Sequence, residues 1–250
     1  MLADYGLVMP NPMFGSEFSQ NAARLEPDNL SPHEPELGSL PQRSVDAEEI
    51  QELKTGTTTI GLTTADGVVM VTDQRASLGN MVSSKTAKKV EQVHPTGALT
   101  ISGSVSAAQS LIRTLEVENN LYDTRRGENM SMQALSTLTS NLLRSGGFLI
   151  TVPVLGGVDE EGGHIYSYDA LGGVTEETYS VSGSGSQFAL GVLEQDYEEG
   201  IAQDEAREVA VRALKSAVER DTASGNGMWL AAIDEEDVEI SEYEDYDAAL

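Results

Sequence analysis

From Thr57 onward the chain alternates short β-branched runs with longer segments whose apolar residues recur at helical spacing, whereas Met1 to about Glu49 keeps neither period. Thr57-Thr-Thr-Ile-Gly-Leu-Thr-Thr64 and Val68-Val-Met-Val-Thr-Asp73 flank the turn signal Ala65-Asp-Gly67, a pattern that predicts a hairpin. Strands are also predicted at Lys89 to Val93 and Ala98 to Ser102. Ala107, Leu111, Leu115 and Leu121 then share a helical stripe, predicting a helix from about Ser106 to Tyr122. A second helix is predicted from about Ser131 to Arg144, with Ser131 as N-cap, Met132, Leu135, Leu138 and Leu142 as its apolar stripe, and Gly146-Gly147 as its stop. Three more strands are read at Leu149 to Leu155, His164 to Tyr168 and Thr178 to Ser182. Helices follow at Gln187 to Tyr197 and Asp204 to Arg220, and a last strand at Met228 to Ile233 leads into an acidic tail from about Asp234. Strands, two helices, strands, two helices, strand is an order that suits two sheets packed face to face with helix pairs outside.

Composition changes this picture in three ways. The first 49 residues hold six of the eight prolines, so that stretch is expected to be disordered or weakly ordered. Acidic residues outnumber basic ones 41 to 15, for a formal net charge of -26, and they run through the patterned segments as well as the tail. Such a surface repels nucleic acid and anionic membranes and suits a salt-rich cytoplasm, where counterions screen self-repulsion. Cysteine is absent, which excludes disulfides, thiolate metal sites and a cysteine nucleophile. No apolar run approaches the roughly 20 residues of a membrane helix, so a soluble, cytoplasmic chain is expected.

The ordinary hydrolytic constellations fail as well. Only three histidines exist, His33 in the proline-rich stretch and His94 and His164 at turns, and no G-x-S-x-G elbow or H-E-x-x-H spacing occurs. What remains is Lys54-Thr-Gly-Thr57-Thr-Thr-Ile-Gly61, together with three of only five lysines in Ser84-Lys-Thr-Ala-Lys-Lys89. Alone, a threonine-rich strand needs no explanation beyond β propensity. Three more segments keep order and spacing with it: Thr100-Ile-Ser-Gly103-Ser-Val-Ser-Ala-Ala-Gln109, Ser182-Gly-Ser-Gly-Ser186 and Arg220-Asp-Thr-Ala-Ser-Gly225. Together they resemble the proteasome β subunits of archaea and bacteria, over roughly Thr55 to Ile233.

The resemblance implies an α+β, four-layer αββα sandwich of two antiparallel sheets flanked by helix pairs, the fold of hydrolases with an N-terminal nucleophile. It implies that residues 1–56 are a propeptide cut off between Gly56 and Thr57, and that residues 57–250 are the catalytic domain with its acidic tail. A cut before Thr55 is the alternative. Thr57 would be the nucleophile, Lys89 and Asp73 its activating pair, Gly103 the oxyanion donor, and Ser184, Asp221 and Ser224 the holders of the Thr57 amine and hydroxyl. Ala76, Ala87, Ile101 and Val105 would line the substrate pocket and favour cleavage after hydrophobic residues.

Physical need fits that assignment, since a threonine hydroxyl requires a base and a free α-amine on the same residue has a pKa of about 7.7 to 8.0. While Gly56 is attached that nitrogen is an amide, so the precursor is inactive. No cofactor or metal is implied. Homo-heptameric β rings, flanking α subunits, an indirect regulatory ATPase and unfolded protein substrates are the implied partners. An amidohydrolase acting on a small molecule would keep the nucleophile but lack the Ser182 and Asp221 segments. A binding protein would leave the coincident segments without a cause.

Overall fold

The computed structural model describes residues 56–145 and 151–250; Gly146-Gly147 and the start of the strand expected from Leu149 lie outside the described residues. β1 (Thr58–Thr63) and β2 (Val68–Asp73) form the predicted hairpin, with Thr59 opposite Thr72. β3 (Ala76–Leu78) and β4 (Met81–Ser84) make a separate small hairpin, and β5 (Val90–His94) and β6 (Gly97–Thr100) follow. Two helices come next, α1 (Val105–Arg126) and α2 (Met132–Arg144). α2 starts where the sequence says it should, because the Ser131 hydroxyl accepts a hydrogen bond from the Ala134 amide. β7 (Val154–Asp159), β8 (Gly162–Tyr168), β9 (Val174–Glu177) and β10 (Tyr179–Gly183) lead to helices α3 (Ser186–Asp196) and α4 (Gln203–Arg220). The chain then returns as β11 (Met228–Ile233) and β12 (Val238–Tyr243).

Two five-stranded antiparallel sheets result, ordered β10-β1-β2-β11-β12 and β5-β6-β7-β8-β9. Period-two alternation sorts their side chains. Val68 and Met70 of β2 and Ala231 and Ile233 of β11 meet Val154, Val158 and Ile165 of the other sheet in a core between the layers. On the opposite face, Val69, Val71, Leu230 and Ala232 pack against Ala206, Val209, Ala210 and Leu214 of α4. Leu99 and Leu155 of the second sheet pack against Leu111 and Leu115 of α1 and Leu135 of α2. Strands covered on both faces read as continuous apolar runs, and every residue of β2 is buried. The four-layer αββα order expected from the sequence is thus the observed one.

Four strands were not expected: β3, β4, β9 and β12. The acidic segment after Ile233, read as a tail, folds back along β11, with Ala231 opposite Ile240, and closes one edge of the first sheet. A short 3-10 turn at Tyr246–Ala249 then rests near α4, where Lys215 meets Asp247 at 2.6 Å. Among the described residues no helix is long and apolar enough to cross a membrane.

Candidate active site

The register of β1 on β2 sets the end of β2 beside the residue that precedes β1, and so brings Asp73 against Thr57. Asp73 has no solvent exposure, and its two carboxyl oxygens accept five hydrogen bonds. One oxygen takes the Thr57 hydroxyl at 2.8 Å, the Thr58 amide at 2.9 Å and the Lys89 ammonium at 2.7 Å. The other takes the amides of Arg75 at 3.0 Å and Gly225 at 2.9 Å. Burying a charge costs several kcal/mol unless it is well paired, and this density of donors offsets that cost. Lys89, just ahead of β5 and 6% exposed, also donates to the Thr57 hydroxyl. Burial draws its pKa below the ordinary lysine value, and the opposing pull of Asp73 only partly counters that. Lys89 therefore gives up its proton more readily than a surface lysine, at hydrogen-bond reach of a hydroxyl.

A second cluster faces the nitrogen of the same residue. The Thr57 amide donates to the Ser184 hydroxyl at 3.2 Å, and that hydroxyl donates to Asp221 at 2.6 Å. Ser224 donates to the same carboxyl oxygen at 2.7 Å, and the Ala223 amide holds the other at 3.1 Å. One expected contact is corrected: Ser224 does not reach the Thr57 hydroxyl but pairs with that of Thr58, at 2.8 Å. The cause is alternation, since adjacent strand residues point to opposite faces and Ser224 comes from the α4 side. Gly183, at φ +101, pairs with Thr58, and a Cβ there would meet the Thr57 carbonyl, so the Gly183-Ser184-Gly185 turn is a fitted support. Gly56 is equally confined, because a Cβ would overlap Ala223 and stand 2.9 Å from the Ser184 hydroxyl.

Gly103, at φ +100, sits in an antiparallel bridge with Thr151 at the mouth of the site. Its neighbour Ser102 donates to the Val152 carbonyl at 2.5 Å and lies 2.8 Å from the Ser182 hydroxyl, which ties the Gly103 turn to the sheet that carries Thr57. Beside Thr57 opens a cleft of about 790 Å³. Ala76, Ala87, Ile101 and Val105 all line it, with Ile112 behind them, so the four pocket residues expected from the sequence converge. The same cleft has a charged rim of Lys88, Glu91, Arg113 and Glu116 that the sequence reading did not include. The Ser102–Ser182 contact and a Gly56–Ser77 contact were also missed, since serines in strands and turns carry no spacing signal. Among the described residues no group of three or more acidic or histidine side chains could hold a metal ion.

Two stacked antiparallel sheets between helix pairs, with a threonine, a lysine and a carboxylate at the head of the central hairpin, are the fold of the N-terminal nucleophile hydrolases. Comparison with known proteins narrows the class. The family model described as "Proteasome subunit" matches residues 53–233. A "Proteasome subunit beta" of Halorubrum lacusprofundi is 62% identical over 219 residues, covering 86% of this chain and 90% of the relative. Proteins of the same description from Haloquadratum walsbyi and Haloferax volcanii are each 56% identical, covering 96% and 92% of this chain and 99% and 96% of their own lengths. The chain belongs to the proteasome subunit family, as a β-type subunit of the archaeal kind.

Proposed function

We propose that this subunit is a threonine peptidase that activates itself by cutting between Gly56 and Thr57, and then hydrolyses unfolded proteins inside a ring assembly. One observation carries the reading: the Thr57 hydroxyl is buried at the cleft with both Lys89 and Asp73 as hydrogen-bond partners. In the precursor the Thr57 nitrogen is an amide and cannot act as base, so Lys89, its proton affinity reduced by burial, takes the hydroxyl proton. The oxygen attacks the Gly56 carbonyl carbon, the carbon–nitrogen bond breaks as that nitrogen gains a proton, and an ester joins Gly56 to Thr57. Water then hydrolyses the ester, leaving a Gly56 carboxylate and a free Thr57 amine.

The new amine inherits the Ser184 hydroxyl and the Asp221 carboxylate behind it. It serves as base for the next attack, on a substrate carbonyl, while Lys89 helps keep it neutral whenever the lysine itself is charged. Gly103 donates to the oxyanion, a role worth about 3 to 4 kcal/mol. The apolar walls of the cleft support cleavage after hydrophobic residues. Seven-membered β rings between rings of α subunits, fed by a regulatory ATPase, form the assembly in this reading.

The test is N-terminal sequencing and intact mass of the chain assembled with α subunits in roughly molar salt, beside a Thr57→Ala version. A wild-type chain that begins at Thr57 and a variant that stays whole support the proposal. A wild-type chain left whole in an assembled particle would leave a structural ring subunit only.

A further inference from the structure

We infer that Ser77 is a positioning residue for the self-cleavage step, an inference that rests on the reading above. The Gly56 amide donates to the Ser77 hydroxyl at 3.1 Å, while the Thr57 amide donates to Ser184 at 3.2 Å. The scissile carbonyl lies between those two nitrogens, so a hydroxyl holds the peptide on each side of it.

Gly56 has no side chain by which the fold could grip it, and glycine samples backbone conformations more freely than any other residue. On one side Ala223 and Ser184 leave no room for a Cβ, which limits where Gly56 can lie. Ser77 supplies the remaining constraint. It is 7% exposed, and the β3–β4 register shifts between Ala76 and Ser77, the irregularity at which this side chain meets the site. Ser77 holds the Gly56 amide and Ser184 the Thr57 amide, so the two hydroxyls fix the consecutive peptide planes that meet at Gly56 and restrain the two Gly56 dihedrals that aim the scissile carbonyl carbon at the Thr57 oxygen. Small errors in that approach cost large factors in rate. Once the bond is cut, Gly56 leaves with the leader, so this contact belongs to the precursor alone. Ser184 differs, because its partner nitrogen stays behind as the free amine.

The experiment follows leader loss in time, by intact mass, for wild-type, Ser77→Ala and Ser77→Thr full-length chains assembled with α subunits in roughly molar salt, and measures short-peptide turnover by the matured fraction. Ser77→Ala is expected to slow leader loss by about tenfold, at least about fivefold more than it slows turnover, and Ser77→Thr to recover wild-type maturation within about twofold. Should Ser77→Ala fail to assemble, Ser77→Cys, with similar volume and a weak acceptor, carries the same comparison. An alanine variant that loses its leader at the wild-type rate, or loses rate and turnover by one common factor, overturns the assignment to Ser77. A wild-type chain never cut before Thr57 would instead overturn the self-cleavage reading itself.

Discussion

Two places in this molecule set a nitrogen base among carboxylates, and they tune it in opposite directions. At the head of the β1–β2 hairpin, Lys89 is buried with Asp73 and the Thr57 hydroxyl, and its pKa falls. On the second sheet, the His164 ring bridges Asp159 at 3.0 Å and Glu176 at 2.6 Å, while the other Asp159 oxygen accepts from the Met132 amide at the start of α2. Burial works to lower the His164 pKa too, but hydrogen bonds to Glu176 and Asp159 outweigh it and the value rises. Asp159 moves the other way, because amide and His164 donors outweigh its burial and lower its pKa. Glu176 remains half exposed to water, so this second cluster desolvates less charge. Depth decides the outcome: the same ingredients lower the base's pKa when sealed and raise it when partly solvated.

The largest break in that comparison is Lys89→Met, which keeps length and removes both the base proposed for self-cleavage and the cation proposed to keep the Thr57 amine neutral in turnover. Leader loss and peptide turnover should each fall by roughly 10³-fold or more, measured on assembled particles. Gly56→Ala comes next. The added methyl must displace Ala223, and leader loss should slow by roughly 10²-fold, while the fraction of the variant that does mature turns over peptide as wild type does, because residue 56 has left it.

A pH series sharpens the comparison. In the proposed self-cleavage neutral Lys89 is the base, so the leader-loss rate should rise with pH and level off below the ordinary lysine value of 10.5. For the His164 cluster the sign is opposite: stability from His164 is fully present below its unfolded value of 6.5 and is lost as pH rises through its raised folded value. His164→Gln is the smallest of these effects. It should cost about 1 kcal/mol in denaturant melts below pH 6.5, little above the raised folded pKa, and leave leader loss unchanged.

Much of this was legible in the residues. The hairpin announced itself through β-branched runs around Ala65-Asp-Gly67, and α2 through Ser131 and its stripe, because burial on one or both faces imposes a period. β9 and β12 hid because they are edge strands rich in polar residues, Val174-Thr-Glu-Glu177 exposed throughout and Val238-Glu-Ile-Ser-Glu-Tyr243 half-buried with its two glutamates exposed. Charge made them look like turn and tail. At the site, Thr57, Lys89 and Asp73 were found through the resemblance and the scarcity of lysine, and the structure brings them together. The hydroxyl contacts of Ser77, Ser102 and Ser224 were not legible, since they join residues 21, 80 and 166 positions apart in sequence and depend on packing alone.

The central claim is that the Thr57 oxygen is the nucleophile, and a covalent trap reads it directly. Matured particles would be treated with a hydrophobic peptide vinyl sulfone, digested, and the adduct located by tandem mass spectrometry. The account predicts one adduct per active subunit, on the Thr57 side-chain oxygen, lost together with peptide turnover in Lys89→Met particles. An adduct on another residue, in particles that still hydrolyse peptide after Thr57→Ala, would contradict it.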